Sequence, residues 1–328
     1  MQSITSRRRL LGAGTAVLLA TPRIARAQAD WPNKPIRFIV PFPPGGSSDV
    51  VARLVTPVAG EQLHQSLVVE NRGGAGGVIG ADAIAKSAPD GYTIGIAGQG
   101  GLVVSPRLYA HRPYDPTRDL APVTQLIESP FVIVVGRKVA ARNLRELLDM
   151  AKARPGQMSI GHGGNGTLMH LSTELLNQLG GVQIMPVPYR GIAPSGAAAA
   201  GGEIEAAAVD VPVALSLIQD GTLRALAVTS RERIAVLPDT PTVAEAGVPG
   251  YETVGWFGLV APAATPAPII TRVNAAFTTA LRDPTVRRRL LEIGCEPRPT
   301  TPEQFRDIIR DESVKWNEVV EKANIRIE

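Results

Sequence analysis

The sequence predicts an α/β fold in which parallel strands are covered by helices. Short apolar runs typical of buried strands alternate with segments whose apolar residues recur at helical spacing, nearly throughout the chain. Four of the connections from a strand to the following helix are rich in glycine. With 328 residues, the chain is long enough for two domains and a substantial core.

The first strand and helix show this pattern most clearly. The run Ile36–Val40 is typical of a buried strand, and an apolar stripe over residues 50–58 predicts a helix. Between them, Pro41–Asp49 predicts a turn in which a polar residue at 47–49 caps the helix. Unpaired N–H groups and the helix dipole favour anion binding at such a turn, although an ordinary strand-to-helix connection has the same pattern.

The next two units repeat the arrangement. Leu67–Glu70 predicts a strand, which leads through the glycine-rich loop Asn71–Gly77 into a helix over Val78–Lys86. Tyr92–Ala97 predicts another strand, which ends in the glycine-rich stretch Gly98–Gly101. Both loops therefore bring backbone N–H groups to the start of a helix.

The pattern changes near residue 122. Val123–Ile127 and Phe131–Val135 predict two strands with no helix between them, and such a connection can carry the chain into a second domain. We therefore place one domain at residues 30–127 together with 256–328, and the other at residues 128–255.

The second domain is predicted to continue the alternation. Asn143 and Glu146 resemble a capping box at the start of a helix, and Gly161–Thr167 is a fourth glycine-rich loop before a helix. A later predicted strand ends at Asp210, which places a carboxyl group at the end of the strand. Three helices, each with a proline near its start, are predicted for the tail at 266–281, 284–291 and 302–323.

Residues 1–29 predict an export signal. Three consecutive arginines at 7–9 precede a short apolar run, Leu10–Ala20, and Ala25–Ala29 carries the small residues of a cleavage site. The arginines followed by leucines resemble a twin-arginine signal, with general secretory export as the alternative. A membrane anchor would need about 20 apolar residues, which is more than this run supplies.

The charge balance argues against some classes of partner. The chain carries 34 basic and 30 acidic residues, but the predicted signal holds five arginines and no acid. Without it, 29 basic residues face 30 acidic ones, which gives no support to binding of nucleic acid or anionic membrane. No other apolar run is long enough to span a membrane.

The sequence offers little for catalysis or for a cofactor. The glycines at 74–80 lack the spacing of a dinucleotide fingerprint, and no nucleophile elbow of a serine hydrolase is present. The four histidines lack the spacing of a zinc site. Cys295 is the single cysteine, so it cannot form a disulfide within the chain, and we expect it to be a buried thiol. We therefore expect neither an enzyme nor a bound metal or cofactor.

The glycine-rich turns favour a binding cleft instead. Ligands of open α/β sheets bind at the carboxyl ends of the strands, where all four turns are predicted to lie. Backbone N–H groups from several such turns would suit a small anion without any arginine. Asp210, at the end of its own strand, would meet a hydrogen-bond donor of the ligand.

Motifs along the whole chain resemble the substrate-binding proteins of tripartite tricarboxylate transporters, the Bug receptors. They are VPFPPGGSSD at 40–49, VENRGGAGG at 69–77, APDGY at 88–92, GNGT at 164–167, VPYRG at 187–191, LPDTPTVAEAG at 237–247 and WFGL at 256–259. The segment 193–202, APSGAAAAGG, lacks two leucines that these receptors commonly carry, which thins the packing of its helix. Ala97–Gly101 and the pair Gly161-His162 are also unusual and border the predicted cleft, so a relative's ligand does not carry over to this chain.

The resemblance implies a two-domain periplasmic binding protein of the type II-like fold, with the ligand in a cleft between the domains. The ligand would be a small mono- or dicarboxylate, and the partners would be the membrane permease subunits of a tripartite transporter. A solute-sensing receptor for a signalling system is the alternative, and a cofactor-dependent enzyme a more distant one. A periplasmic monomer is expected. The resemblance places the ligand contacts at Phe42, Gly45, Gly46, Ser47, Gln99, Thr167, His170 and Asp210.

Overall fold

Ten strands form one curled sheet in the computed structural model, which describes residues 31–104, 108 and 113–323. The predicted export signal therefore lies outside the described residues. The strands are β1 (Ile36–Val40), β2 (Leu67–Asn71), β3 (Thr93–Gly98), β4 (Leu120–Gly136), β5 (Met158–His162), β6 (Ile184–Pro188), β7 (Ala206–Asp210), β8 (Leu223–Val228), β9 (Val254–Pro262) and β10 (Glu296–Pro297).

Helices follow most of the strands, as the alternation predicts. They are α1 (Ser47–Leu63), α2 (Val78–Ala85), α3 (Pro116–Asp119), α4 (Leu144–Ala153), α5 (Leu168–Gly180), α6 (Ile192–Gly201), α7 (Val211–Gln219), α8 (Ala267–Arg282), α9 (Pro284–Glu292) and α10 (Pro302–Ala323). The predicted α/β class and the three tail helices are thus confirmed. Asn143 caps helix α4 as predicted, because Glu146 N donates to Asn143 Oδ1 at 2.9 Å, while the Glu146 carboxylate accepts from Arg142 N and not from Asn143 N.

The sheet has two parts that share the long strand β4. The first half-sheet contains β2, β1, β3, β9 and the first part of β4, with β1 parallel to β2 and β3. The second half-sheet contains β7, β5, β6, β8 and the end of β4, with β5 parallel to β6 and β7. Both lie within one compact unit, Pro32–Glu328.

Strand β4 corrects one prediction. Val123–Ile127 and Phe131–Val135 are parts of a single strand, and not two separate strands. Up to Pro130 the strand pairs with β9, and from Phe131 onward it pairs with β7 and β8. The predicted domain boundaries at 127/128 and 255/256 fall inside β4 and β9, and the division into two domains stays a prediction.

The parallel strands bring their following loops to one edge in each half-sheet. The loops after β1, β2 and β3 belong to the first half-sheet, and those after β5, β6 and β7 to the second. Aromatic packing holds the helices against the strands, with Phe277 of α8 stacked on Phe38 of β1 at 5.6 Å. None of the helices within the described ranges is both long and apolar enough to cross a membrane.

Candidate functional site

Helix α1 begins without a side-chain cap. Gly46 occupies the N-cap position in an extended conformation, so Ser47 and Ser48 lie in the first turn. The prediction that a side chain at 47–49 caps the helix is therefore wrong. The N–H groups of Ser47 and Ser48 precede the first hydrogen bonds of the helix, in which Asp49 N and Val50 N donate to Gly46 O. These two donors lie at the positive end of the helix dipole.

Asp49 fixes the loop in front of this helix. Its Oδ2 accepts hydrogen bonds from Gly45 N at 3.1 Å and from Arg53 Nε at 3.0 Å. Its Oδ1 accepts one from Asn71 Nδ2, which also donates to Phe42 O. Burial alone would raise the pKa of Asp49, but these hydrogen bonds outweigh it and hold the pKa below its usual value. The charged carboxylate thus keeps the loop in one shape.

The loops of the two half-sheets touch through glycines. A Cβ on Gly76 would lie 2.5 Å from Asn165 O, and one on Gly100 would lie 3.1 Å from Gly166 O. Gly76 also has φ +63°, a conformation that favours glycine. The close approach explains why these loops are rich in glycine, since a larger residue would hold the half-sheets apart.

A small cavity of about 50 Å³ is enclosed between these loops. Four of the predicted ligand residues line it, namely Phe42, Gln99, Thr167 and Asp210. Its described lining contains no lysine or arginine, and Asp210 is the one titratable residue there. The cavity by itself has room for only a few water-sized groups.

A second cavity of about 350 Å³ lies against the start of helix α1. Phe42, Gly46, Ser47 and Ser48 line one side of it, and the start of helix α6 lines the other. Phe42, Ile192 and Phe257 line both cavities, so the two adjoin at these side chains. A volume of this size is within the range of small-molecule sites.

Asp210 is fully buried at the end of β7. Burial raises its pKa to about 7, and the nearby Ser47 hydroxyl offsets the rise only partly. The hydroxyl does not reach hydrogen-bond geometry, because Ser47 Oγ and Asp210 Oδ2 both lack a partner among the described residues. The carboxyl group therefore faces the first cavity without a compensating charge.

Gln99 lines the first cavity, but its amide is already engaged by the protein. Its Nε2 donates to Glu312 Oε2 at 2.7 Å and to Val254 O at 3.3 Å. Its Oε1 accepts from Trp256 N at 3.1 Å. Both amide hydrogens are thus used, and the side chain joins β3 to β9 and to α10.

The predicted residues of the second half-sheet have different positions. Thr167 caps helix α5, since its Oγ1 accepts from His170 N, and it also donates to Gly164 O at 2.7 Å. His170 lines neither cavity and stacks on His162, with ring centroids 4.7 Å apart. Burial lowers the pKa of both histidines, that of His162 to about 3, with the nearby His170 adding to the effect there. Both rings are therefore neutral at neutral pH.

Gly45 completes the predicted set, and it lines neither cavity. Its N–H is held by Asp49, and its backbone has φ +83°. It contributes to the shape of the loop, while Gly46 and Ser47 contribute to the cavity wall. The structure thus brings six of the eight predicted residues to the two cavities.

Two polar residues at the first cavity are additions to the predicted set. Ser129 of β4 and Trp256 of β9 line it, and the Ser129 hydroxyl and the Trp256 indole N–H are buried without a partner among the described residues. Trp256 belongs to the WFGL motif at 256–259, which was one signal available in the sequence. Ser129 adjoins Pro130, where β4 changes its pairing partners.

No group of three or more His, Cys, Asp or Glu among the described residues could hold a metal ion. Cys295 is a buried free thiol, as expected, and burial followed by the Asp210 charge raises its pKa to about 12. The first cavity therefore offers backbone groups, hydroxyl groups, the Gln99 amide, one indole and one buried carboxyl group, and the second cavity also has Arg190 in its lining.

Comparison with known proteins identifies the family. The protein BugT of Bordetella pertussis is 39% identical over 314 residues, which are 95% of this chain and 96% of BugT. A solved structure of R. palustris Rpa4515 with adipate has a TM-score of 0.88 and 36% identity, covering 90% of this chain and 99% of that one. MatC from Rhodopseudomonas palustris, solved with bound malate, has a TM-score of 0.84 and 33% identity, covering 88% and 100%.

These similarities extend over nearly the whole chain and confirm the α/β fold of periplasmic binding proteins. The family profile for TctC, described as tripartite tricarboxylate transporter family receptor, matches residues 51–325. The chain belongs to this receptor family, in which the Bug proteins are its homologues.

Proposed function

We propose that this protein is a periplasmic receptor that captures a small mono- or dicarboxylate and delivers it to the membrane subunits of a tripartite transporter. The observation that carries the proposal is the uncapped start of helix α1. Ser47 and Ser48 line a cavity of about 350 Å³, and their N–H groups lie at the positive end of the helix. We propose that these neutral N–H groups hold the carboxylate, and Arg190 is the one charged side chain in the described lining of the same cavity.

The two adjoining cavities support an elongated ligand. One carboxylate would bind the start of α1, and the rest of the molecule would pass Phe42 into the first cavity. Apolar side chains, among them Phe131 and Ile192, line that cavity and suit a hydrocarbon chain. The relatives solved with adipate and with malate support an acyclic carboxylate for this chain as well.

We propose binding without catalysis. Nucleophilic catalysis needs a nucleophile activated by an adjacent base, a lowered pKa or a metal, and the described lining of the first cavity contains no histidine, lysine or cysteine for these roles. Asp210 is the one titratable side chain among the described residues that line the first cavity, and its neighbours there are hydroxyl, indole and apolar groups.

Thermal unfolding across a panel of ligands tests the binding proposal. A ligand that binds only the folded protein stabilises it by about 2.7 kcal/mol at a hundredfold excess over Kd. We expect one or more small carboxylates to raise the unfolding midpoint, and neutral sugars, NAD and FAD to leave it unchanged. A shift with NAD or FAD and with no carboxylate contradicts the proposal.

Delivery needs a separate test, because a sensor would bind the same ligand. Membrane vesicles that contain the permease subunits should accumulate the labelled carboxylate only when this protein is added. Binding without any stimulation of uptake would favour the solute-sensing alternative over the transporter.

A further inference from the structure

Four buried polar atoms around Asp210 have no hydrogen-bond partner among the described residues. They are Ser47 Oγ, Ser129 Oγ, Asp210 Oδ2 and Trp256 Nε1. They come from α1, β4, β7 and β9, so both half-sheets contribute to the group. Ser129, Asp210 and Trp256 line the first cavity, and Ser47 lines the adjoining second one. Buried polar groups are nearly always paired in native proteins, so these unpaired atoms are candidate contacts for a polar ligand group.

The group is neutral except for Asp210. Ser129 and Trp256 can donate hydrogen bonds to a ligand oxygen, but neither carries a charge. The Cys295 thiol, which precedes β10 and is itself buried, is a titratable group on another element that interacts with the Asp210 charge. No lysine, arginine or histidine occurs among the described residues that line this cavity. Nothing in the described site therefore offsets a second negative charge beside Asp210.

Resting on the proposed function, we infer that Asp210 and the far end of the bound ligand share a single proton. A ligand that ends in a hydroxyl group brings this proton and donates it to the Asp210 carboxylate in a hydrogen bond. A dicarboxylate brings none, so its binding takes up one proton from water, which then bridges the two carboxyl groups. In both cases, Trp256 and Ser129 donate to the ligand oxygen.

The physical reason is the cost of two adjacent carboxylates in a buried site. Like charges at hydrogen-bond distance disfavour each other's ionised form, and without a cation one of the two becomes protonated. Burial already raises the pKa of Asp210 to about 7 without a ligand. A second carboxylate would raise it further, so that the pair retains a proton across the neutral range.

Calorimetry in buffers of different ionisation enthalpy measures this proton directly. Adipate is the dicarboxylate probe, and its analogue with one carboxyl replaced by a hydroxymethyl group is the matched control. At about pH 8, where Asp210 is largely ionised in the free protein, we expect uptake of about one proton with adipate and none with the control. Adipate affinity should also fall about tenfold per pH unit above this point, while the control affinity stays nearly constant.

Asp210→Asn provides the matched variant. It keeps the size of the side chain but cannot bind the extra proton, so adipate should bind with no proton uptake and a flat pH dependence. Adipate binding to the unchanged protein without proton uptake would overturn the inference and leave the proposed function standing, as would uptake that persists in Asp210→Asn. If neither probe nor any other carboxylate binds, the proposed function fails and the inference fails with it.

Discussion

Substitution of Gly76 by alanine tests the contact between the two half-sheets. The added Cβ would lie 2.5 Å from Asn165 O, whereas real Cβ atoms essentially never approach within 3.0 Å. The two loops must therefore separate by about half an ångström or more, since packed interiors have little free space. The separation moves Thr167 and its neighbours away from a ligand that is bound at α1.

The expected loss of affinity follows from the hydrogen bonds that we propose the loops make to the ligand. Each neutral hydrogen bond contributes about 0.5–1.5 kcal/mol net, so the loss of two costs about 1–3 kcal/mol. We expect Gly76→Ala to bind its best carboxylate about 5- to 150-fold more weakly in calorimetry. The left-handed backbone at Gly76 adds a stability cost of about 1–2 kcal/mol for alanine.

Gly156→Ala is the matched control for this backbone cost. Gly156 has φ +69°, a Cβ there would meet nothing within 4 Å, and the residue lines neither cavity. Gly156→Ala should show only the backbone cost in denaturant unfolding and keep its affinity within about twofold, whereas Gly76→Ala should lose more stability because its Cβ also displaces the loops. Equal affinities for the two variants would refute the role of the Gly76 contact in binding.

Three further predictions concern the walls of the site. Gly46→Leu should fold normally, because Gly46 has φ −78°, which any residue adopts. The leucine side chain would enter the second cavity and weaken carboxylate binding more than tenfold in calorimetry. Unchanged affinity would show that the ligand binds elsewhere. The Asp210 pKa is about 7 in the folded protein and about 3.8 in the unfolded chain. Between these pH values Asp210 is protonated only in the folded state, so the free energy of unfolding decreases as pH rises. Between pH 5 and 8, unfolding in denaturant should therefore show a loss of about 3 kcal/mol that Asp210→Asn lacks, and identical pH profiles would contradict this. His162→Phe should retain the ring stacking but lose the contact between His162 Nδ1 and Gly164 O. The free energy of unfolding should fall by about 1 kcal/mol. An unchanged free energy of unfolding would argue against a role for that contact in holding the loop.

The sequence predicts the strands, loops and helix starts of the site because the patterns that indicate them lie within short segments of the chain. A strand followed by glycines and a helix is visible at 36–63 and again at 158–180, and both units form as expected. Parallel pairing then brings their loops to the same edge, which is a general property of such sheets. The position of Asp210 at the end of β7 follows from the same reasoning.

The side-chain contacts that the sequence does not indicate are those with residues elsewhere in the chain. Gln99 resembles a ligand residue, yet its amide bonds to Glu312, which lies 213 positions away along the chain. His170 faces His162 across the turn between a strand and a helix, and that stacking has no signature in the sequence. The ligand roles of both side chains stay predictions, and the tertiary fold gives each of them a partner within the protein that the sequence does not indicate.

Pro130 explains the error over strand β4. Proline lacks an N–H group, so a Ser-Pro pair between two apolar runs indicates an interruption. In the structure the strand changes partners at this point: Pro130 pairs with Val254 of β9, and the next N–H, from Phe131, donates to Thr229 Oγ1 at 2.9 Å. The N–H group that Pro130 lacks would therefore lie at the point where β4 stops pairing with β9 and starts pairing with β7 and β8.

A crystal structure with the best carboxylate from the thermal panel tests the central claim most directly. We expect one ligand carboxylate about 3 Å from the N–H groups of Ser47 and Ser48, with the rest of the molecule passing Phe42 toward Asp210. A carboxylate bound away from the start of helix α1, or held there by a lysine or arginine side chain, would contradict the account.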